Sequence, residues 1–334
     1  MNKVFLLTGL SLATSAWGQV ALTEFRVAFY NVENLFDTID HPQTLDDAFT
    51  PTGEKAWTTT RYRRKLNQIA QVMDSLQLPA IIGLAEVENR AVLEDLVQTK
   101  ALRPGSYAAV SYDSPDLRGI DVGLLYRQDH FRVDSAGLIR IAFPLWLEPE
   151  GYTTRDILYV RLDGGAHHLF HCFVVHWPSR RGGELASEHR RLWVAQYLRR
   201  ALDGLLAVDT VAQVLIMGDF NDKPDSRSVH NVLGAIEARD TTYLPGVFYN
   251  HMMALQRAGE GSYNYRGEWN MLDQFVTHGI GWPGAWRVQE VRVYRPDWLL
   301  YEGKRPNRTY GGPKYYGGFS DHLPIVLDLV WQSD

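Results

Sequence analysis

The chain has a single cysteine, Cys172, among 334 residues. One cysteine cannot close an internal disulfide, so the fold must be stable through its core alone, even in an oxidising compartment. Cys172 lies within the apolar run around His171 and Val175 and reads as a small buried residue of a strand. Long hydrophobic runs are also missing, and after the first residues no stretch reaches the length needed to span a bilayer. Excess basic charge is absent too: the formal net charge is −5, and the isoelectric point is near 6.1. Strong non-specific nucleic-acid binders are usually basic overall, so contact with a polyanion must rest on a local basic patch and a bound metal. No internal repeat or low-complexity tract interrupts the chain.

What remains is ordinary for a globular protein, with 45% hydrophobic and 22% charged residues. The length suits one large domain or two small ones. The first residues form a distinct segment. Lys3 supplies a positive start, Val4 to Ala13 a short apolar core, and Ala16-Trp17-Gly18 small residues ahead of Gln19. This pattern predicts a signal peptide over 1–18, cleaved to leave a secreted or periplasmic protein. A membrane anchor is the alternative, but the run is short for that. No linker divides the rest, so 19–334 is read as one domain.

Apolar spacing predicts a strand at Phe25–Tyr30, a polar surface loop over 37–60, and a helix carrying Leu66, Ile69, Ala70, Met73 and Leu76. A buried strand at Ala80–Leu84 and a second helix after Asn89 follow. Strands are predicted at Ile120–Tyr126, Phe131–Ile141, Ile157–Leu162 and Leu169–Val175, then a long helix near Glu188–Leu206. A strand into Gly218-Asp219, a short helix at Arg227–Leu233, and strands at Leu272–Thr277, Val288–Tyr294 and Ile325–Trp331 complete the reading. Arg295–Phe319, rich in Gly, Pro and Tyr, is read as mostly loop.

The chemistry begins where the run Val214–Met217 stops at Gly218-Asp219-Phe220-Asn221. A carboxylate and a carboxamide two residues apart project to the same side of an extended chain. One can take a proton while the other holds a ligand, which is a hydrolytic arrangement. A second signal, Ser320-Asp321-His322-Leu323-Pro324, lies beside another apolar run. Together they resemble the endonuclease/exonuclease/phosphatase family of DNase I-like, metal-dependent phosphoesterases. That resemblance implies a four-layer α/β sandwich, two packed mixed sheets flanked by helices, with the site at one end of the sheets.

Five stretches match the family pattern in its order. Phe29-Tyr30-Asn31 implies a metal-approaching Asn31, with acidic Glu33 beside it. Leu84-Ala85-Glu86 implies Glu86 as a metal ligand, since a carboxylate directly after a buried strand is well placed for a hard cation. Glu88 shares its side of the strand and is either a neighbouring group of the site or the first turn of the next helix. Val175-His176-Trp177 implies that His176 contacts the scissile phosphate, while Arg180 and Arg181 in the following turn are substrate-binding candidates. By resemblance, Asp219 orients or deprotonates the attacking water, and Asn221 holds the phosphate or that water. Asp273, in Leu272-Asp273-Gln274, orients His322, and Asp321 joins the metal site.

Oxygen donors imply Mg²⁺, with Mn²⁺ or Ca²⁺ as alternatives. The implied reaction is hydrolysis of a phosphodiester by a single in-line water attack. Export and the Arg-rich turn fit a nuclease acting on DNA or RNA, with Trp177, Tyr310, Tyr315, Tyr316 and Phe319 available to stack bases. The family also contains lipid phosphodiesterases and inositol-polyphosphate phosphatases, and a binding module that has lost turnover is a further alternative. Stable membrane insertion is not expected.

Overall fold

In the computed structural model the described residues are 23–165, 168–239, 243–282 and 285–331. The expected signal peptide lies outside them. In chain order the elements are β1 (Glu24–Leu35), α1 (Thr59–Ser75), β2 (Ile81–Val87), α2 (Arg90–Val97), β3 (Tyr107–Ser111), β4 (Asp121–Arg127), β5 (Arg132–Ile139), β6 (Ile157–Asp163) and β7 (Leu169–His176). Next come α3 (Glu184–Val208), β8 (Gln213–Asp219), β9 (Ala235–Glu237), β10 (Phe248–Asn250), α4 (Met253–Arg257), β11 (Tyr263–Tyr265), β12 (Glu268–Asn270), β13 (Asp273–His278) and β14 (Trp286–Val293). The two-residue strands β15 (Leu300–Tyr301), β16 (Arg305–Pro306), β17 (Tyr310–Gly311) and β18 (Lys314–Tyr315) precede β19 (Ile325–Trp331).

Two mixed sheets carry the fold. The first has the order β14-β19-β1-β2-β4-β3 and the second β5-β6-β7-β8-β13-β10-β9. Their inner faces meet in one apolar core that joins Phe29, Ile81 and Leu124 to Cys172, Val174, Leu215 and Met217. The sheets approach closely: a Cβ placed on Gly83 of β2 would lie 2.6 Å from the Met217 sulfur of β8. A larger residue there would require the Met217 side chain to give way.

Helices cover the outer faces. The Thr58 side chain caps α1 by accepting the Arg61 N–H, and Leu66, Ile69, Ala70, Val72 and Met73 turn inward. Asn89 caps α2 in the same way, through the Val92 N–H. On the other side, Val194, Ala195, Leu198 and Leu202 of α3 pack with Phe173, Val175, Val214 and Ile216. The result is helix, sheet, sheet, helix, the expected four-layer sandwich. Among the described residues no helix is long and apolar enough to cross a membrane.

Two segments depart from the sequence reading. Helix α3 starts at Glu184, four residues early, because its first inward positions are polar: Ser187 and Arg191 are buried and bond back to the Gly183 and Glu184 carbonyls. That is invisible to an apolar-spacing rule. The loop over 37–60 is anchored rather than merely polar, with Trp57 fully buried and donating to the Phe36 carbonyl at 2.9 Å. The 295–319 segment is mostly loop as read, with two small ladders, β15–β16 and β17–β18, inside it.

Candidate active site

Strand ends at one edge of the sandwich bring the singled-out residues together. Strands β7 and β8 run parallel in a register that sets His176 beside Asp219, both at their carboxyl ends. Strand β13 is antiparallel to β8 and begins there, pairing Asp273 with Asp219. In the other sheet, β1 pairs parallel with β2 so that Asn31 lies opposite Ala85, next to Glu86. Strand β19 pairs its first residue, Ile325, with Phe29, which delivers the preceding Ser320-Asp321-His322 to the same edge. The Ser320 hydroxyl fixes that delivery, donating to the Asn31 carbonyl at 2.7 Å and accepting the His322 N–H at 3.1 Å.

Local backbone aims the side chains. Glu86 sits at a register irregularity between Ala85 and Val87 with φ of +63°. Asn221 has φ of +49°. Left-handed backbone is costly for residues with a Cβ and gathers at functional sites, as do bulges that re-aim a side chain. Gly218 must be glycine because a Cβ there would collide with the Val175 carbonyl oxygen of the adjacent strand. Phe220 is fully buried against Trp177, with ring centroids 4.7 Å apart, so Asp219 and Asn221 are left to face the site.

Asp219 is the hub. Its Oδ2 accepts from Asn31 Nδ2 at 3.1 Å, its Oδ1 accepts the Asn221 N–H at 2.8 Å, and Oδ2 lies 3.6 Å from His176 Nε2 and 3.8 Å from His322 Nε2. Those imidazole distances exceed a direct hydrogen bond, so both ring nitrogens stay available to a water or phosphate oxygen held beside the carboxylate. Burial pushes the Asp219 carboxyl up to about 6, with His322 opposing and Asp273 adding to the rise. An ordinary aspartate is a weak base at neutral pH, whereas a carboxyl at that level is poised to take a proton.

The two histidines are set in opposite states. Burial, and then Arg155 and Arg118, hold His176 well below the ordinary imidazole value, so it is neutral. Burial also works against charge on His322, but Asp273, whose Oδ2 lies 2.7 Å from His322 Nδ1, outweighs it together with Asp219 and Asp321. His322 is therefore raised well above the ordinary value and carries the positive charge. The Asp273 contact fixes His322 with Nε2 toward Asp219.

Glu86 Oε2 accepts the Asn34 N–H at 3.0 Å, and Oε1 faces His176 Nε2 at 4.0 Å. Asn31 Oδ1 accepts the Glu33 N–H at 3.0 Å and keeps a second lone pair. Asp321 makes no hydrogen bond or ion pair among the described residues. Its carboxyl is raised by burial and by the like charges of Glu86 and Asp219, with His322 and Lys65 opposing. A half-buried carboxylate without a partner, beside a second carboxylate with an uncommitted oxygen, is a donor set that a hard divalent ion suits. Asp219, Asp273 and His322 form another possible metal site, their ligand atoms lying within 4.8 Å of one another. The short Asp273–His322 hydrogen bond already occupies that pair.

Other candidates are placed differently. The Arg180 Nε donates to the Asn221 carbonyl at 2.7 Å and Nη1 to Glu184 at 3.0 Å, so Arg180 braces Asn221. Arg181 is exposed and unpaired among the described residues. Asn221 Nδ2 donates to the Trp177 carbonyl at 3.0 Å. Both Glu33 oxygens are taken by backbone N–H groups of Thr309 and Tyr310, at 2.6 and 2.9 Å, so Glu33 clamps the aromatic segment. Glu88 points elsewhere: it accepts the Asp37 N–H at 2.6 Å and lines a separate cavity with Asp113 and Asp121.

Three supporting residues carry no signal in the sequence reading. Buried Arg155 ties Asp116 to the His176 and Trp177 carbonyls. Lys65 lies on α1, where residue type alone predicts an exposed side chain. Instead it is buried, bonded to Thr309 and the Phe319 carbonyl, and held down to about 8 by burial against the pull of Glu33, Asp321 and Glu86. Buried Arg191 pairs with Asp222 at 2.8 Å, directly behind Asn221.

The family profile described as Endonuclease/Exonuclease/phosphatase family matches residues 26–330, and the chain belongs to that family of hydrolytic phosphoesterases, which are typically dependent on a divalent metal. No curated protein matches the sequence. Among solved structures, the human Nocturnin catalytic domain with bound sulfate is 18% identical, with a TM-score of 0.58 over 92% of this chain and 95% of that one. A humanized D. rerio TDP2 carrying 14 mutations is 14% identical, with a TM-score of 0.57 over 92% and 98%. The Bacteroides thetaiotaomicron VPI-5482 mannosyl-6-phosphatase Bt3783 is 17% identical, with a TM-score of 0.54 over 92% and 100%. At such identities these likenesses establish the fold alone.

Proposed function

We propose that this chain is an exported, divalent-metal-dependent phosphodiesterase that cleaves nucleic acid by a single in-line attack of water. The observation that carries this reading is the convergence of Asn31, His176 and His322 on the Asp219 carboxylate, with distances of 3.1, 3.6 and 3.8 Å to one oxygen. Asp219, pushed up to about 6, takes the proton of the attacking water. Cationic His322, held by Asp273, donates to a phosphate oxygen and neutralises charge as it builds there. Neutral His176 donates a hydrogen bond to a second non-bridging oxygen. Asn221, fixed by Trp177 and Arg180, orients the water or the phosphate.

Glu86, Asn31 and Asp321 would hold the cation, Mg²⁺ by donor type with Mn²⁺ or Ca²⁺ as substitutes. When bound, it would polarise the phosphate and stabilise the leaving oxygen. TDP2 is described in complex with a single-strand DNA product, which favours nucleic acid as the substrate class. The segment 1–18 supports export.

Purified protein lacking residues 1–18 is to be assayed on plasmid DNA, RNA, sphingomyelin and mannose 6-phosphate, each with Mg²⁺ and with EDTA. Cleavage of DNA or RNA, abolished by EDTA, is the expected result. Turnover of only the lipid or only the sugar phosphate overturns the nucleic-acid reading and keeps the hydrolase. No turnover of any substrate favours a binding module.

A further inference from the structure

A cavity of about 550 Å³ opens beside Asp321, walled by the β11–β12 turn, the β15–β16 turn and the segment after β16. Its lining contains Arg266, Lys304, Arg305 and Arg308, and the carboxylates there are Glu302 and Asp321. None of the four cations has a carboxylate partner among the described residues, in a chain whose net charge is −5. A concentration of unpaired positive charge in one concave place, against the sign of the whole molecule, attracts and holds an anion.

The walls are also aromatic. Tyr263, Tyr265 and Tyr301 line the cavity, with the Arg266 guanidinium 5.2 Å from the Tyr265 ring and the Arg305 guanidinium 5.0 Å from the Tyr301 ring. Rings of this kind orient guanidinium groups and offer stacking faces. The cavity is continuous with the site. Tyr263 bridges to His322 in the backbone, and its ring centroid lies 4.8 Å from the imidazole. Asp321 belongs to both.

We propose that this cavity is a subsite for a nucleotide unit adjoining the cleaved bond, whose non-scissile phosphate is held by Arg305, Arg308, Arg266 and Lys304. The inference rests on the phosphodiesterase reading of the neighbouring site. It names what that site grips: a substrate with a second phosphate beyond the one attacked. A single strand of nucleic acid and a small phosphorylated dinucleotide share that chemistry.

The test is the double variant R305A/R308A, which alters exposed side chains outside the catalytic group. Three substrates are compared with Mg²⁺: bis(p-nitrophenyl) phosphate, which has no second phosphate, the dinucleotide pdTpdT, and a single-stranded decamer. Binding of a fluorescent decamer to Asp219→Asn protein, with and without the double variant, is measured alongside. The expected result is a KM increase of roughly tenfold or more for a phosphate-bearing substrate. kcat and turnover of bis(p-nitrophenyl) phosphate should stay within about twofold, the latter also confirming the fold. A rise for the decamer identifies a strand, and a rise for pdTpdT alone identifies a small nucleotide. Unchanged KM for both, or equal loss on all three substrates, overturns the subsite. If the parent protein cleaves nothing but the double variant still weakens decamer binding, the hydrolase reading fails and the anion site stands.

Discussion

Asp219→Asn lowers kcat for metal-dependent phosphodiester hydrolysis by on the order of 10³-fold while KM changes little. Loss of a positioned general base costs roughly 10²–10⁴-fold, and a group acting on the water rather than on bound substrate acts mainly through kcat. The substitution is nearly isosteric. The new side chain keeps an acceptor for the Asn221 N–H, which Asp219 Oδ1 now receives at 2.8 Å. Its amide, however, turns a donor toward Asn31 Nδ2, now a donor at 3.1 Å. That mismatch costs about 1 kcal/mol, offset by removing a buried negative charge beside Asp273. Thermal unfolding should therefore be nearly unchanged. A variant that melts much earlier, or one that retains activity within tenfold, contradicts the assigned role.

Arg191→Met destabilises the fold by about 3–5 kcal/mol, the usual cost of removing one partner from a buried ion pair. Arg191 and Asp222 are both enclosed, with side-chain exposures of 0% and 2% at a separation of 2.8 Å. The same guanidinium bonds Ser187 and the Glu184 carbonyl. Methionine can fill the volume but leaves Asp222 charged and buried, with the Ser228 hydroxyl at 2.5 Å and the more distant Arg180 guanidinium at 3.7 Å on its carboxylate. Because Asp222 follows Asn221 directly and its carbonyl accepts from Gln274 at 2.6 Å, activity should fall along with stability. Denaturant titration at neutral pH measures the loss. The double variant Arg191→Met with Asp222→Leu should recover much of it, since no lone charge then remains. A single variant within 1 kcal/mol of the parent would show that the pair does not anchor the loop.

Much of the architecture could be read from apolar spacing. Strands β1, β2, β7, β8, β13 and β19 contain runs such as Val214–Met217, and β7 and β8 close on the polar residues His176 and Asp219 while Glu86 lies one residue before the end of β2. That pattern, together with the resemblance to the family, is why Asp219, His176 and Glu86 could be singled out without coordinates. The clamps and braces were not legible, for a common reason. Lys65, Arg155 and Arg191 are charged residues that lie inside, and residue type by itself predicts the opposite. The roles of Glu33 and Arg180 were hidden in a different way: each spends its polar atoms on backbone groups distant in sequence, Thr309 and Tyr310 for one and Asn221 for the other. The protonation states of the two histidines depend on neighbours brought in by the fold, so equal residue types gave no hint of their opposite charges. The cavity walls fell in a stretch with neither period, rich in turns and tyrosines.

A crystal grown with Mn²⁺ and inorganic phosphate, with the ion located by its anomalous signal, tests the metal-centred hydrolase most directly. The expected result is an ion bonded to Glu86, Asn31 and Asp321 at roughly 2.0–2.3 Å, with phosphate oxygens reaching His176 and His322. An ion held instead by Asp219, Asp273 and His322, or no ion near Glu86 at saturating Mn²⁺, would contradict it.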